Sequence, residues 1–275
     1  MPLEVCMNVN TDAYVTKGAL HDVCEDYVLH GHEPMPFWIV ADGCSSAVHS
    51  EVAAQCLCWA AKAELSIFLL DEVPMEERVS RFELAVLSRV KSVACLLNMT
   101  TPLLATLMVG VVMGGHAYIW VWGDGVVATV SPESELLIHS IEYSGNRPFY
   151  LFYQQESGVQ ERFLELGANK AIVTLEGGSQ THVDGMPVLS PYSLCVPLSE
   201  ICFVACLSDG VDCVVDKLSR KKQPLVKVMQ GVTAFKQAHG EFIQRRMKRW
   251  LKTQLKGGFV MLDDVSMAGA WIGNC

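Results

Sequence analysis

The 275-residue chain lacks a CxxC pair, a long Pro-, Gly- or Ser-rich linker, an internal repeat and any surplus of basic charge. Without CxxC spacing neither a zinc ribbon nor a dithiol redox centre is indicated, and the odd total of 11 cysteines does not close into a disulfide framework. Cys56, Cys58, Cys95, Cys202 and Cys206 lie inside apolar runs, where a thiol acts as a small hydrophobe. The first residues, MPLEVCMNVNTD, carry neither a basic n-region nor an apolar h-region, so the expectation is a cytoplasmic protein with free thiols. With 21 Lys and Arg against 30 Asp and Glu, the formal charge of -9 disfavours nucleic acid as a general partner, since that binding begins with phosphate neutralisation. The absence of linkers and repeats predicts one domain over 1–275, long enough for a substantial core. A membrane span is not expected either. The longest apolar run, PLLATLMVGVVMGGHAYIWVW (102–122), is interrupted by Gly114-Gly115-His116 and rich in Val, Ile, Tyr and Trp, which reads as two buried strands joined by a tight turn.

What the chain does have is aspartate at the ends of strand-like runs. FWIVADG ends at Asp42, YIWVWGDG at Asp124, CFVACLSDG at Asp209 and GGFVMLDD at Asp263. A carboxylate there sits at the rim of a sheet, and the Gly or small polar residues that follow let the backbone turn and offer its carbonyls as well. Hard oxygen ligands converging on one spot suit magnesium or manganese. Taken singly, each aspartate reads as a residue that caps a turn or a helix. Basic residues cluster twice, in KLSRKK (217–222) and RRMKRWLK (245–252). In the second, Phe242, Ile243, Met247, Trp250, Leu251 and Leu255 fall at helical spacing, so the plain reading is a surface helix with a solvated basic face.

Periodicity predicts strands near 3–8, 12–16, 26–30 and 36–41, then two helices at 46–70 and 75–98, with Pro74 opening the second. Strands follow at 104–113, 116–122, 126–130, 135–140, 149–154, 162–166, 171–175 and 201–207. Short helices are expected at 211–218, 224–238 and 240–256, and a closing hairpin at 258–263 and 265–272. Strands surrounding two helical groups suggest an α+β fold: two sheets packed together with helices on the outer faces.

Six short motifs occur in order: Thr16-Lys17-Gly18…His21…Cys24-Glu25-Asp26, Val40-Ala41-Asp42-Gly43, Ala105-Thr106-Leu107, Gly123-Asp124-Gly125, Leu207-Ser208-Asp209-Gly210 and Asp263-Asp264-Val265-Ser266. Their succession over nearly the whole chain resembles the metal-dependent serine/threonine phosphatases of the protein phosphatase 2C type, in a form similar to a divergent, mainly bacterial branch. The resemblance implies a four-layer α-β-β-α sandwich with two mostly antiparallel sheets. It also implies hydrolysis of phosphoserine or phosphothreonine in a protein or peptide by a metal-activated water at a centre of two manganese or magnesium ions. By the same resemblance Asp42 bridges the two ions, the Gly43 carbonyl completes the first site, Asp209 and Asp263 bind the second ion, and Glu25 and Asp26 hold metal-bound waters. Asp124 then has a supporting role outside the ligand set. On spacing alone either Asp263 or Asp264 could be the ligand, and motif alignment prefers Asp263. The absence of any C-x5-R arrangement agrees with direct attack by water.

Three positions depart from the family pattern. His21 stands where many members carry an arginine that grips phosphate; protonated, it binds phosphate without the bidentate fork. Cys44 occupies the place of a histidine that some members have as general acid, which leaves leaving-group protonation to a metal-bound water, to His49 or to His21. The MTTPLLAT stretch around Thr101 lacks the aspartate of a third metal site. The expected catalytic residues are therefore Asp42, His21 and Asp26. The alternative is an inactive or weak pseudophosphatase serving as an interaction or sensing module. Residues 142–200 are expected to add a flap beside the site.

Overall fold

The computed structural model describes residues 8–99, 101–155 and 157–273. Its larger sheet has seven strands: β1 (Val9–Thr16), β14 (Val265–Ile272), β11 (Phe203–Leu207), β6 (Gly125–Val130), β7 (Leu136–Tyr143), β8 (Lys170–Glu176) and β9 (Ser179–Met186), in that spatial order. The smaller has five: β10 (Tyr192–Pro197), β5 (His116–Trp122), β4 (Leu107–Met113), β3 (Phe37–Ala41) and β2 (Tyr27–Gly31). A two-stranded ribbon pairs β12 (Val214–Asp216) with β13 (Phe259–Met261). Neighbouring strands within the two large sheets run antiparallel.

The layering follows from strands that are apolar on both faces. In β3, Phe37, Ile39 and Ala41 pack under helices α1 (Ser50–Glu64) and α2 (Met75–Leu96), while Trp38 and Val40 point between the sheets. In β11, Val204 and Cys206 enter the space between the sheets, and Phe203, Ala205 and Leu207 pack under α4 (Leu225–Thr233) and α5 (Phe242–Lys256). The result is the α+β sandwich expected, with helix layers outside two packed sheets. Helix α5 has no capping side chain of its own at its start; Asp12 on β1 supplies one, accepting the Gln244 N–H at 3.0 Å. The segment Ser50–Leu69 is long and apolar enough to cross a bilayer, but its buried residues pack on the smaller sheet.

Between the sheets Trp38 lies over Gly110, where an added Cβ would stand 2.0 Å from the indole. Gly110→Ala should therefore cost roughly 1–3 kcal/mol of stability, as overpacking of a filled core does, with urea unfolding as the measurement.

The 102–122 run folds as expected, β4 and β5 pairing across Gly114-Gly115. Six other expectations need correction. Residues 149–154 and 162–166 are not strands: Leu151–Gln155 is a 3-10 turn and α3 (Ser157–Glu165) is a helix. Their aromatics recur four apart, Phe149 with Tyr153, which is helical rather than strand spacing, and Phe149 meets Phe163 edge-on. The helix expected at 211–218 is a short 3-10 turn followed by β12, and the closing hairpin does not exist, because β13 pairs with β12 while β14 lies between β1 and β11. Long-range pairing decides both and leaves no local signal. Helix α1 starts at Ser50 rather than 46, preceded by His49 in the left-handed region at φ 62°, and α4 ends at Thr233. Strands β9 and β10 stand where periodicity predicts none, and the strand expected at 3–8 lies mainly outside the described residues.

Antiparallel register places the functional loops at one end of the sandwich. Tyr27 faces Ala41, Leu107 faces Trp122, Leu207 faces Met267 and Thr16 faces Val265. The residues just beyond these pairs are therefore neighbours although they come from both sheets.

Candidate metal centre

The loop from β1 to β2 (17–26) is tied to the loop before β14. Asp264, 2% exposed, accepts the N–H groups of Gly18 at 2.7 Å and Glu25 at 2.5 Å. Ala19 and Leu20 donate to the carbonyls of Met261 and Leu262. Close approach requires glycine at two motif positions: a Cβ on Gly18 would lie 2.2 Å from the Asp263 carbonyl carbon, and one on Gly210 would lie 1.7 Å from the Asp264 oxygen. The two acidic neighbours thus separate in role. Asp264 is consumed in holding the loop, whereas the Asp263 side chain is 38% exposed.

Asp42, directly after β3, is fixed through its backbone: its N–H donates to Thr106 Oγ1 at 3.0 Å and its carbonyl accepts the Thr106 N–H at 2.8 Å. The bridge of Gly43 with Ala105 runs through the Asp42 and Leu104 carbonyls and leaves the Gly43 carbonyl outside it. Gly43 N–H donates to the Glu25 carbonyl at 3.2 Å. Glu25 Oε1 accepts from Ser50 Oγ at 2.7 Å, and Asp26 Oδ2 from Ser208 Oγ at 2.7 Å, a hydroxyl that in turn accepts the Ser266 N–H. The remaining oxygens, Glu25 Oε2 and Asp26 Oδ1, are buried without a hydrogen-bond partner.

Asp26, Asp42, Asp124 and Asp209 act on one another electrostatically. Burial, followed by the charges of Asp26 and Asp209, raises Asp42 well above the usual carboxylate range. Burial raises Asp26 further than its bond to Ser208 lowers it, and raises Asp209 against the lowering effect of a hydrogen-bonding contact with Asp42. Asp124 is pushed up to about 7 by burial and by the charge of Asp209. Among the described residues no group of three or more His, Cys, Asp or Glu side chains stands in ready-made ligand geometry. The donor set is nevertheless the one a hard divalent cation takes: acidic oxygens, a backbone carbonyl, and two buried oxygens whose hydrogen-bonding capacity is unspent.

His21 lies inside this cluster. Nδ1 is 3.1 Å from Asp264 Oδ2 and 3.6 Å from Glu25 Oε2, and Nε2 is 3.2 Å from Asp263 Oδ1. Burial lowers its basicity, but the contact with Asp264 and the charges of Asp264, Asp263 and Glu25 outweigh this and raise it. His49 is apart, 58% exposed and 3.8 Å from Glu51. Cys44 contacts Ser46 Oγ at 3.1 Å and faces a cavity of about 360 Å³ whose wall includes Arg147, Tyr150 and Arg162, residues of the expected flap. Sequence reasoning missed the supporting hydroxyls of Ser50 and Ser208. Both stand in short motifs that were usable signals, Ser208 in SDG and Ser50 in His49-Ser50-Glu51.

The model of the Protein phosphatase 2C family matches residues 19–256. The chain belongs to the protein phosphatase 2C family. Solved structures of similar fold include PppA, described as a key regulatory component of T6SS in Pseudomonas aeruginosa, at 15% identity over 96% of this chain and 97% of that one, with a TM-score of 0.55. The serine/threonine phosphatase Stp1 from Staphylococcus aureus matches at 15% identity over 96% and 95% of the two chains, with a TM-score of 0.54. The catalytic domain of the serine/threonine phosphatase PstP, in complex with two manganese ions, matches at 17% identity over 98% and 100%, with a TM-score of 0.50. No curated protein matches the sequence. At these identities the structural likenesses establish the fold of this protein phosphatase 2C family member; its site rests on its own residues.

Proposed function

We propose that this protein is a metal-dependent phosphatase acting on phosphoserine and phosphothreonine in proteins. The observation that carries the reading is the meeting of acids from both sheets, Asp42 at the end of β3 in electrostatic contact with Asp209 at the end of β11, and Asp209 in turn with Asp263 just before β14. So many buried acids at one spot repel unless cations join them. Two manganese or magnesium ions, held by Asp42, the Gly43 carbonyl, Asp209 and Asp263 with Glu25 and Asp26 beyond them, would neutralise the cluster and activate a water for in-line attack at phosphorus.

The chain's own groups do the rest. Ser208 and Ser50 fix the carboxyls of Asp26 and Glu25, so their free oxygens stay aimed into the site. His21, whose basicity is raised by Asp264, Asp263 and Glu25 against the lowering effect of burial, would in its protonated form contact the substrate phosphoryl oxygens and return a proton to the leaving alkoxide.

The test is hydrolysis of p-nitrophenyl phosphate and of a phosphothreonine peptide with manganese, with magnesium and with EDTA. Turnover with either ion and none with EDTA is expected. Folded protein that neither hydrolyses the substrates nor binds manganese by calorimetry would instead be an inactive module of the same fold.

A further inference from the structure

The two basic clusters of the sequence form one surface beside the proposed catalytic site, and a role for that surface in catalysis rests on the phosphatase reading of the site. Helix α5 carries Arg245, Lys248, Arg249, Lys252 and Lys256 on its exposed side and no acidic residue anywhere along its length. Among the described residues none of these side chains has a carboxylate within ion-pair distance. Exposed helices are ordinarily steadied by opposite charges four apart, yet here Arg245 and Arg249, Lys248 and Lys252, and Lys252 and Lys256 are like-charged pairs at that spacing. In a chain of net charge -9 this is a local reversal of sign.

The fold extends the reversal to the site. Lys217 N–H donates to the Gly258 carbonyl at 2.9 Å, just past the end of α5, and β12 pairs with β13. Lys217, Arg220 and Lys221, all exposed, therefore lie on the segment paired with the chain as it leaves α5 at Lys256. The acids of this region are already engaged: Asp212 with Lys222 at 2.8 Å, and Asp216 with the N–H groups of Leu218 and Ser219. The ribbon also reaches the rim: Leu262 N–H, one residue before Asp263, donates to the Cys213 carbonyl at 3.1 Å. A groove of about 440 Å³ between α5 and β1, lined by Tyr14, Lys248, Leu251, Lys252, Leu255 and Lys256, follows the same face.

We infer that this surface docks an acidic, Asp- and Glu-rich segment of the protein substrate and holds it next to the catalytic rim. Charge complementarity selects an anionic partner. A bilayer fits less well, because Phe242, Ile243, Met247, Trp250 and Leu251 of α5 are buried in the core and the apolar side chains this face does expose, Leu218 and Leu255, stand singly among lysines and arginines, too few to insert.

The experiment is fluorescence anisotropy with a labelled, unphosphorylated 12-residue Asp/Glu peptide, which needs no turnover. Wild type should bind it at low salt and release it as salt rises, and the variant Lys217→Gln/Lys221→Gln/Lys252→Gln/Lys256→Gln should bind roughly tenfold more weakly. On a phosphothreonine peptide carrying an acidic flank the variant should lose kcat/KM, while hydrolysis of p-nitrophenyl phosphate stays at the wild-type level. Equal peptide binding by variant and wild type, no binding at low salt, or binding to vesicles of phosphatidylserine and phosphatidylcholine but not to the peptide would each overturn the inference. Circular dichroism and a second variant restricted to Lys217→Gln/Lys221→Gln guard against misfolding. Loss of p-nitrophenyl phosphate turnover in wild type would count against the phosphatase reading alone.

Discussion

Asp42→Asn is expected to abolish manganese-dependent hydrolysis and at the same time to make the metal-free protein more stable. Loss of the central carboxylate should lower kcat by roughly 10³-fold or more, since charge stabilisation by bound metal supplies several kcal/mol. The stability change has the opposite sign because Asp42 is buried against Asp26 and Asp209, all of them acids raised above their ordinary range. A gain of roughly 1–2 kcal/mol in EDTA is expected from removing one member of such a group. The pH dependence has its origin in the same shifts. A carboxyl whose folded pKa lies above its unfolded value keeps its proton in the native state after the unfolded chain has lost it. The native state then binds more protons, and stability falls as pH rises. For Asp124 the window runs from the unfolded value of 3.8 to the folded value of about 7. Metal-free wild type should therefore melt at a lower temperature at pH 7.5 than at pH 5.5. Manganese should reverse the order, because it replaces the protons and binds more tightly once they are gone. Differential scanning fluorimetry of wild type and Asp42→Asn, with EDTA and with manganese, reads all of this. A wild-type melting temperature indifferent to manganese and to pH would remove the basis for a metal centre.

The second large effect separates Asp264 from its neighbour. Asp264→Ala should cost about 2–5 kcal/mol, because it strands the buried N–H groups of Gly18 and Glu25 and leaves His21 without its nearest carboxylate. The loop bearing His21, Glu25 and Asp26 would then lose its anchor, and activity would fall through disorder of that loop. Asp264→Asn keeps one acceptor oxygen and should lie between the two. Asp263→Ala, at a side chain 38% exposed, should cost less than about 1 kcal/mol while weakening manganese binding directly. Urea unfolding alongside manganese titration distinguishes the two patterns, and an Asp263→Ala variant as unstable as Asp264→Ala would contradict the division of roles.

Much of the site was legible because it is built from backbone turns. A sheet that ends in Asp-Gly exposes a carboxylate at its rim whatever the rest of the fold does, so Asp42, Asp124 and Asp209 stood out from the sequence. The supporting groups were not legible in the same way. Ser50 meets Glu25 only because α1 begins four residues later than its apolar pattern suggested, after a left-handed turn at His49. The closing hairpin misled for a related reason: two apolar runs around Asp263-Asp264 pair locally on paper, but each finds a better-buried partner elsewhere, β12 for one and β1 with β11 for the other. Local periodicity carries the face a residue presents, not the strand that will cover it.

Strands apolar on both faces, with outer helices, must stack in layers, and the acidic turns that end several of them are equally plain in the amino-acid order. Which ends meet depends on long-range pairing, through the antiparallel register that sets Tyr27 against Ala41 and Leu207 against Met267. The same pairing made Asp264 an anchor and left Asp263 open, and it joined two separate basic runs into one surface. Adjacency of this kind arises from contacts between residues far apart in the chain, which no local pattern encodes.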